Sequence, residues 1–354
     1  MSLATAAQFT LRSYGVVGIS RPVPPGLPSV DDELLLRAAL LAGPAAGEAW
    51  AAWSAHGRLD RSGMNERRLL PAVYLNLADQ RIDHPELGRL RGIHRHDWYQ
   101  SKLLSAAAAR LTEALDGVPT VMLGHEVLVP QERAASAVGL AEKAGWLPEP
   151  PGDVLSVRHA WSFRRSEDLV TLRWRALPYS RADERDLWDA ATGALCPADE
   201  LLVTCTEGLT SNAGPKWVVD ALALIPSVDW DRFCATATRH RLSCTAVAAL
   251  QYLRATFTAP IPASVLERLQ AVPVSRAERR LHHALLGRPH RVRRGLVIHW
   301  AAYRALAPPI GFPIFLLGRL GVDRVAAVPG FAAGRIAERY RARRRRSAAL
   351  ATRV

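Results

Sequence analysis

Residues 118–146 read VPTVMLGHEVLVPQERAASAVGLAEKAGW, and the fold turns on them. Val118 to Leu123 has the apolar, β-branched character of a buried strand, and Val127 to Val129 repeats it in a shorter one. Pro130 suits a first helical position, Glu132 brings negative charge to the helix's positive end, and Gly145 suits the stop. The order is strand, tight connection, strand, helix. The connection Gly124-His125-Glu126 sets His125 and Glu126 at a sheet edge, where polar side chains face a cleft. A solvent-facing turn is the plain alternative.

Upstream, the chain reads as helical. Asp31-Asp32 can cap a helix carrying Leu34, Leu35, Ala38 and Leu41 at helical spacing. Further helices are predicted over 66–78 and 87–115, the second with Leu103, Leu104, Ala107, Leu111 and Leu115 on one face. His94, His96 and Asp97 lie close in sequence, but residues two apart point to different sides of a helix, so they read as a solvated polar face. The first 30 residues hold Pro22, Pro24, Pro25 and Pro28 and read as an extended lead-in, with a short strand open over Phe9 to Val17.

Downstream, 154–163 and 169–177 read as a hairpin. In its second arm Val170, Leu172 and Trp174 face one way and Thr171, Arg173 and Arg175 the other. A helix follows over 201–208, and Lys216 and Asp220 stand four residues apart on another, the spacing of a surface ion pair.

The net charge of +13 is unevenly placed. From Arg288 onward there are fifteen arginines against Asp323 and Glu338, so the tail carries the whole excess and the remainder is neutral. The longest charge-free run in the tail, Ala305 to Gly318, is 14 residues and interrupted by prolines, whereas a membrane-spanning helix needs about 20 apolar residues. Its aromatic and aliphatic residues beside arginines suit a membrane interface. Arg335 to Arg346 reads as a basic helix suited to an anionic membrane surface. Nucleic acid would satisfy the same charges but is less favoured, because no aromatic stacking or base-reading pattern accompanies them, and a solvated basic C-terminus is the plain alternative. Cys196, Cys205, Cys234 and Cys244 show no CxxC spacing, and the first residues lack a basic-then-apolar signal. A reduced cytoplasmic protein, membrane-peripheral if the tail binds lipid, is the expectation.

Residues 32–287 resemble the uncharacterised bacterial nucleotidyltransferase family, a branch of the polymerase-β-like nucleotidyltransferase superfamily. That family runs from a strand ending in Leu-Lys-Gly, through a loop, to an Asp-x-Asp-Leu-Leu-Val strand and a helix ending in Ala-Gly-Trp. Val127-Leu128-Val129-Pro130 and Ala144-Gly145-Trp146 keep this pattern. Leu187-Trp188, Lys216 to Asp220, Asp229-Trp230, Arg239-His240-Arg241, Tyr252-Leu253 and Pro260-Ile261-Pro262 extend it. The catalytic positions depart from it. Met122-Leu123-Gly124 lacks the lysine and the loop between the two motifs is essentially absent. Glu126 stands at the second Asp, and Gly124 either at the first or as the remnant of the Leu-Lys-Gly glycine, so one carboxylate is gone either way. In the family's Val-Glu-Leu-His-Trp strand, Thr171 replaces the third acid and Arg173 the histidine. The family's Cys-x-His-Gly becomes Cys205-Thr206-Glu207-Gly208.

Nucleotidyl transfer uses divalent ions held by carboxylates to neutralise phosphate and activate the acceptor oxygen. Mg2+ takes hard oxygen ligands, and of the family's three acids only Glu126 remains as a weak metal ligand. Asp153, Glu167 and Asp168 are the other acids nearby. Arg173 and Arg175 read as candidate phosphate binders, His125 as a candidate general base, and Lys216 and Asp220 as candidate substrate contacts.

The resemblance implies an α+β fold with a small mixed-sheet nucleotidyltransferase-like core flanked by helical segments. The expected divisions are an extended lead-in over 1–30, helices over 31–112, the core over 113–200, a helical domain over 201–288 and the basic tail over 289–354. The implied function is a nucleotidyltransferase-family protein with a degenerate metal site, catalytically impaired or a pseudoenzyme, binding an NTP or a protein partner without a cofactor. The alternative is an active Mg2+-dependent nucleotidyltransferase acting on a sugar, glycan or peptide-natural-product acceptor. A third is a membrane-peripheral scaffold in polysaccharide or secondary-metabolite biosynthesis. The acceptor and the oligomeric state are not written in the sequence.

Overall fold

The computed structural model describes residues 27–55, 58–149, 155, 158–191, 193–210, 214–286, 292–306, 311, 312 and 315. The lead-in up to residue 26, Asp153, Val154 and the basic stretch Arg335 to Arg346 lie outside the described residues.

Among the described residues six helices precede the sheet: α1 (Val30–Leu40), α2 (Pro44–Ser54), α3 (Arg58–Arg61), α4 (Met64–Arg67), α5 (Leu70–Asp79) and α6 (Leu87–Ala114). The cap of α1 is Ser29 rather than the Asp pair. Its hydroxyl accepts from the Asp32 amide at 3.2 Å, and the Asp32 carboxylate accepts from the Ser29 amide at 3.0 Å, a reciprocal capping box. The helix expected over 66–78 is split, because Pro71 opens α5 in its first turn, where a missing N–H is tolerated.

The sheet has strands β1 (Val121–Leu123), β2 (Glu126–Leu128), β3 (Leu147–Glu149), β4 (Ala160–Arg165) and β5 (Asp168–Arg173), in the order β1-β2-β5-β4-β3. Only β2 and β5 run parallel. Between β2 and β3, a 3-10 turn over Gln131–Arg133 leads into α7 (Ala134–Lys143), and Gly145 follows with φ +84°. The helix thus begins four residues after Pro130, which flanks the turn. Its stop is where the glycine placed it.

Among the described residues nine more elements follow the sheet: α8 (Arg185–Asp189), α9 (Pro197–Thr210), α10 (Lys216–Leu224), a 3-10 turn over Ile225–Ser227, α11 (Trp230–Arg239), α12 (Ser243–Phe257), α13 (Ala263–Ala271), α14 (Arg276–Leu286) and α15 (Val292–Leu306). This mixture of helices with one mixed sheet agrees with the α+β class.

The sheet separates two apolar cores. Val127, Val129, Phe163, Val170, Leu172 and Trp174 pack with Ala107, Leu111 and Leu115 of the α6 end and with Ala134, Ala137 and Ala141 of α7. Val121 and Leu128, on the opposite face, join a larger core that also holds Leu35, Trp50 and Leu77 from the first helices and Leu201, Phe233 and Leu253 from the later ones. Helices before and after the sheet therefore share one interior. The face expected on α6 is buried only from Ala107 onward; Leu103 and Leu104 are exposed.

Candidate functional site

β1 and β2 meet in a two-residue hairpin, since Leu123 pairs directly with Glu126. Gly124 and His125 are the turn, and Glu126 is already in the strand. Gly124 has φ +61°, the left-handed conformation that the first turn position of a type II′ hairpin needs and that glycine adopts without cost. A side chain at 124 would meet nothing within 4 Å, so backbone conformation rather than space explains the glycine.

Parallel pairing of Val127 with Leu172 and Leu128 with Arg173 sets Glu126 beside Thr171 and one step from Arg173. By strand alternation all three face the larger core, toward α9. There Arg173 is 6% exposed, with its guanidinium held between two carboxylates. Its Nε lies 2.7 Å from Glu126 Oε2, and its Nη1 donates to Glu207 Oε1 on α9. Burial alone would pull the guanidinium pKa down, but Glu207 and Glu126 more than reverse this and it stays charged. Burial raises the Glu126 carboxyl, Arg173 pulls it back, and the negative charge of Glu207 adds to the rise. Two carboxylates thus share one cation.

The donor set does not fit a divalent-metal centre. Mg2+ needs several oxygens around one point, yet the carboxylate of Glu126 already faces a guanidinium, position 124 has no side chain, and Thr171 offers a neutral hydroxyl. Asp168 is engaged elsewhere, accepting from Arg110 Nε and Nη2 at 2.8 and 2.6 Å. Among the described residues no group of three or more His, Cys, Asp or Glu is disposed to hold a metal ion.

Arg175 lies on the same strand face but is spent on the fold. Nη1 donates to Gln131 Oε1 at 2.9 Å and to the Ala305 carbonyl at 2.6 Å, and Nη2 to the carbonyls of Ser180 and Ala182 at 2.8 and 3.0 Å. Glu184 stands 3.5 Å from its Nε and accepts from the amides of Ala176 and Leu177 at 2.8 and 2.9 Å. Both terminal nitrogens are saturated by protein oxygens, leaving no fork for a phosphate.

His125 leans on α6: Ser101 Oγ lies 3.1 Å from Nε2 and Ser105 Oγ 3.3 Å from Nδ1, on an exposed surface. Lys216 and Asp220 form the i, i+4 pair on α10, each about half exposed. The geometry therefore joins Glu126, Thr171 and Arg173, and sets His125, Arg175 and the Lys216–Asp220 pair apart from them by what they touch. Burial pushes the Cys205 thiol, two residues before Glu207, up to about 12, so it is no thiolate nucleophile at neutral pH.

Sequence reasoning alone does not single out Glu207. The signal was present, because Cys205-Thr206-Glu207-Gly208 departs from the family's Cys-x-His-Gly at this position. Reading it as a partner of Arg173 required knowing that α9 covers the sheet. Gly208 explains how closely α9 can pack: a Cβ there would overlap the Trp217 side chain of α10. Asp199 was also missed. Fully buried on α9, it accepts from Arg232 Nε at 2.9 Å and Thr236 Oγ1 at 3.1 Å, clamping α9 to α11.

In comparisons with known proteins, the chain matches no family model, no curated protein and no solved structure.

Proposed function

We propose that this chain is a nucleotidyltransferase-family protein whose metal site has been replaced by an internal ion cluster, leaving it a pseudoenzyme for metal-dependent transfer. One observation carries the reading: the Arg173 guanidinium sits between Glu126 and Glu207, next to the strand position where the resemblance calls for metal-binding acids. A cation held there by covalent attachment neutralises the carboxylate that a metal would use. It also occupies the carboxylate oxygen that a metal would take, so a divalent ion could bind there only by displacing the guanidinium.

What remains for this face is binding. Glu126 and Glu207 are each about a third exposed, so the cluster is reachable from solvent while its arginine is not. The face suits a protein partner, or a nucleotide held without metal.

Calorimetric titration with ATP, CTP, GTP and UTP, each with and without Mg2+ or Mn2+, tests this. The reading expects no metal-dependent binding. Metal-dependent binding that disappears in Glu126→Ala would show a working centre and overturn it.

A further inference from the structure

A cavity of about 1060 Å³ opens between the loop after β5, the C-terminal end of α11, the first half of α14, and α15. Neither Glu126, Arg173 nor Glu207 lines it. Five arginines do: Arg181, Arg239, Arg241, Arg280 and Arg304, against a single acid, Glu278. Arg239 has Asp186 at 3.6 Å, and Arg304 lies over the Trp300 ring at 5.8 Å from its centre. Arg181 and Arg280 make no ion pair among the described residues. Glu278, the one acid among the lining residues, is outnumbered five to one by guanidinium groups.

Convergent like charges repel, and a fold tolerates them around a concave space where an anion offsets them. Arginine's planar fork matches phosphate oxygens two at a time. The walls between the arginines are apolar: Leu281, Val297, Ala301 and the rings of Trp300 and Phe312, whose centroids are 4.9 Å apart. A bare anion would leave those walls in water, and a neutral hydrocarbon would leave the cations unpaired. A ligand that satisfies both has a charged head and an apolar body, and the volume suits one small molecule of that kind. The loop carrying Tyr179 and Arg181 is fixed by the Arg175 bonds to Ser180 and Ala182. On the other side Ala305 O ties α15 to the same arginine, so the walls are preformed.

We propose that this cavity binds a small phosphate-bearing amphiphile, its head among Arg181, Arg239, Arg241 and Arg280 and its apolar body against Leu281, Val297 and Phe312. The site is independent of the sheet cluster, and its test does not depend on the reading of that cluster. A free amphiphile and a membrane phospholipid present the same chemistry.

Calorimetry on the full chain separates them. Dihexanoyl phosphatidic acid is titrated as a monomer, and long-chain phosphatidic acid is presented in phosphatidylcholine vesicles. Dihexanoylglycerol and inorganic phosphate serve as headless and tailless controls. The expected result is saturable binding of phosphatidic acid, at least tenfold tighter than either control. It should weaken by about tenfold for each arginine removed in the Arg181→Ala/Arg280→Ala variant, as for loss of a charge-assisted hydrogen bond. Both arginines are exposed, so the variant keeps the wild-type melting curve. Monomer binding identifies a free ligand; binding to vesicles alone, with the same arginine dependence, identifies a membrane lipid. Binding in neither form, binding unchanged in the variant, or inorganic phosphate binding as tightly as phosphatidic acid would overturn the proposal.

Discussion

At residue scale, Arg173 carries the account. Removing one member of a buried ion cluster strands the others: Arg173→Met should destabilise the protein by about 3 kcal/mol, the low end for broken buried pairs because both carboxylates are a third exposed. The loss depends on pH. Without its counter-charge the Glu126 carboxyl rises still further above 4.5, so folding takes up a proton and stability falls as pH rises from 4.5 toward that raised value. Urea unfolding should therefore show a gap between variant and wild type that is largest at neutral pH and narrows on acidification toward 4.5. Adding Glu126→Gln and Glu207→Gln to Arg173→Met should recover most of the loss, as expected when the penalty is uncompensated charge. Gly124→Asp makes the complementary case. It returns a carboxylate to the strand end that the resemblance assigns to an acid, but at φ +61° it should cost about 1 kcal/mol and create no Mn2+ site. Thermal denaturation and Mn2+ titration of that variant check the two halves.

At the scale of elements, the sequence exposed the hairpin, the helix that follows it and the alternation of β5 well, because each rests on local chemistry: β-branched runs, a helix-stopping glycine, a two-residue period. Long-range facts were not legible. The spacing of Leu103 and Leu104 matches that of Leu111, yet Leu103 and Leu104 are exposed while Leu111 is buried. The side of β5 carrying Thr171, Arg173 and Arg175 was identified from alternation, but that α9 lies over it, turning Arg173 inward to Glu207, depends on packing between residues 34 apart. Gly208 belongs to that packing. Gly208→Ala would drive a methyl into Trp217, and about 1–3 kcal/mol of destabilisation is expected from urea unfolding. A second element contact gives a pH signature. His282 on α14 has Nδ1 3.2 Å from Thr245 Oγ1 on α12, and burial, with His283 adding, lowers it from 6.5 to about 4. The unfolded chain takes up this proton first, so its contribution is complete above pH 6.5 and lost as pH falls toward about 4. His282→Gln should flatten stability across that window in urea unfolding curves.

At the scale of the whole molecule, the helices on either side of the sheet are one body. Leu35, Trp50 and Leu77 are fully buried in the same core as Leu201, Phe233 and Leu253. A fragment beginning at residue 113 would expose that shared surface and should lose cooperative melting. The Glu126–Arg173–Glu207 cluster sits on the middle strands of the sheet, and the arginine-lined cavity is separate from it. Among the described residues no helix is long and apolar enough to cross a membrane. The most direct measurement is Mn2+ binding by the full chain, followed as loss of the free-ion paramagnetic resonance signal in wild type and in Glu126→Gln. The account predicts that both leave the ion free at micromolar concentration, because Arg173 already holds the carboxylate. A tight site in the wild type that vanishes in Glu126→Gln would mean that the metal centre survives, and would contradict it.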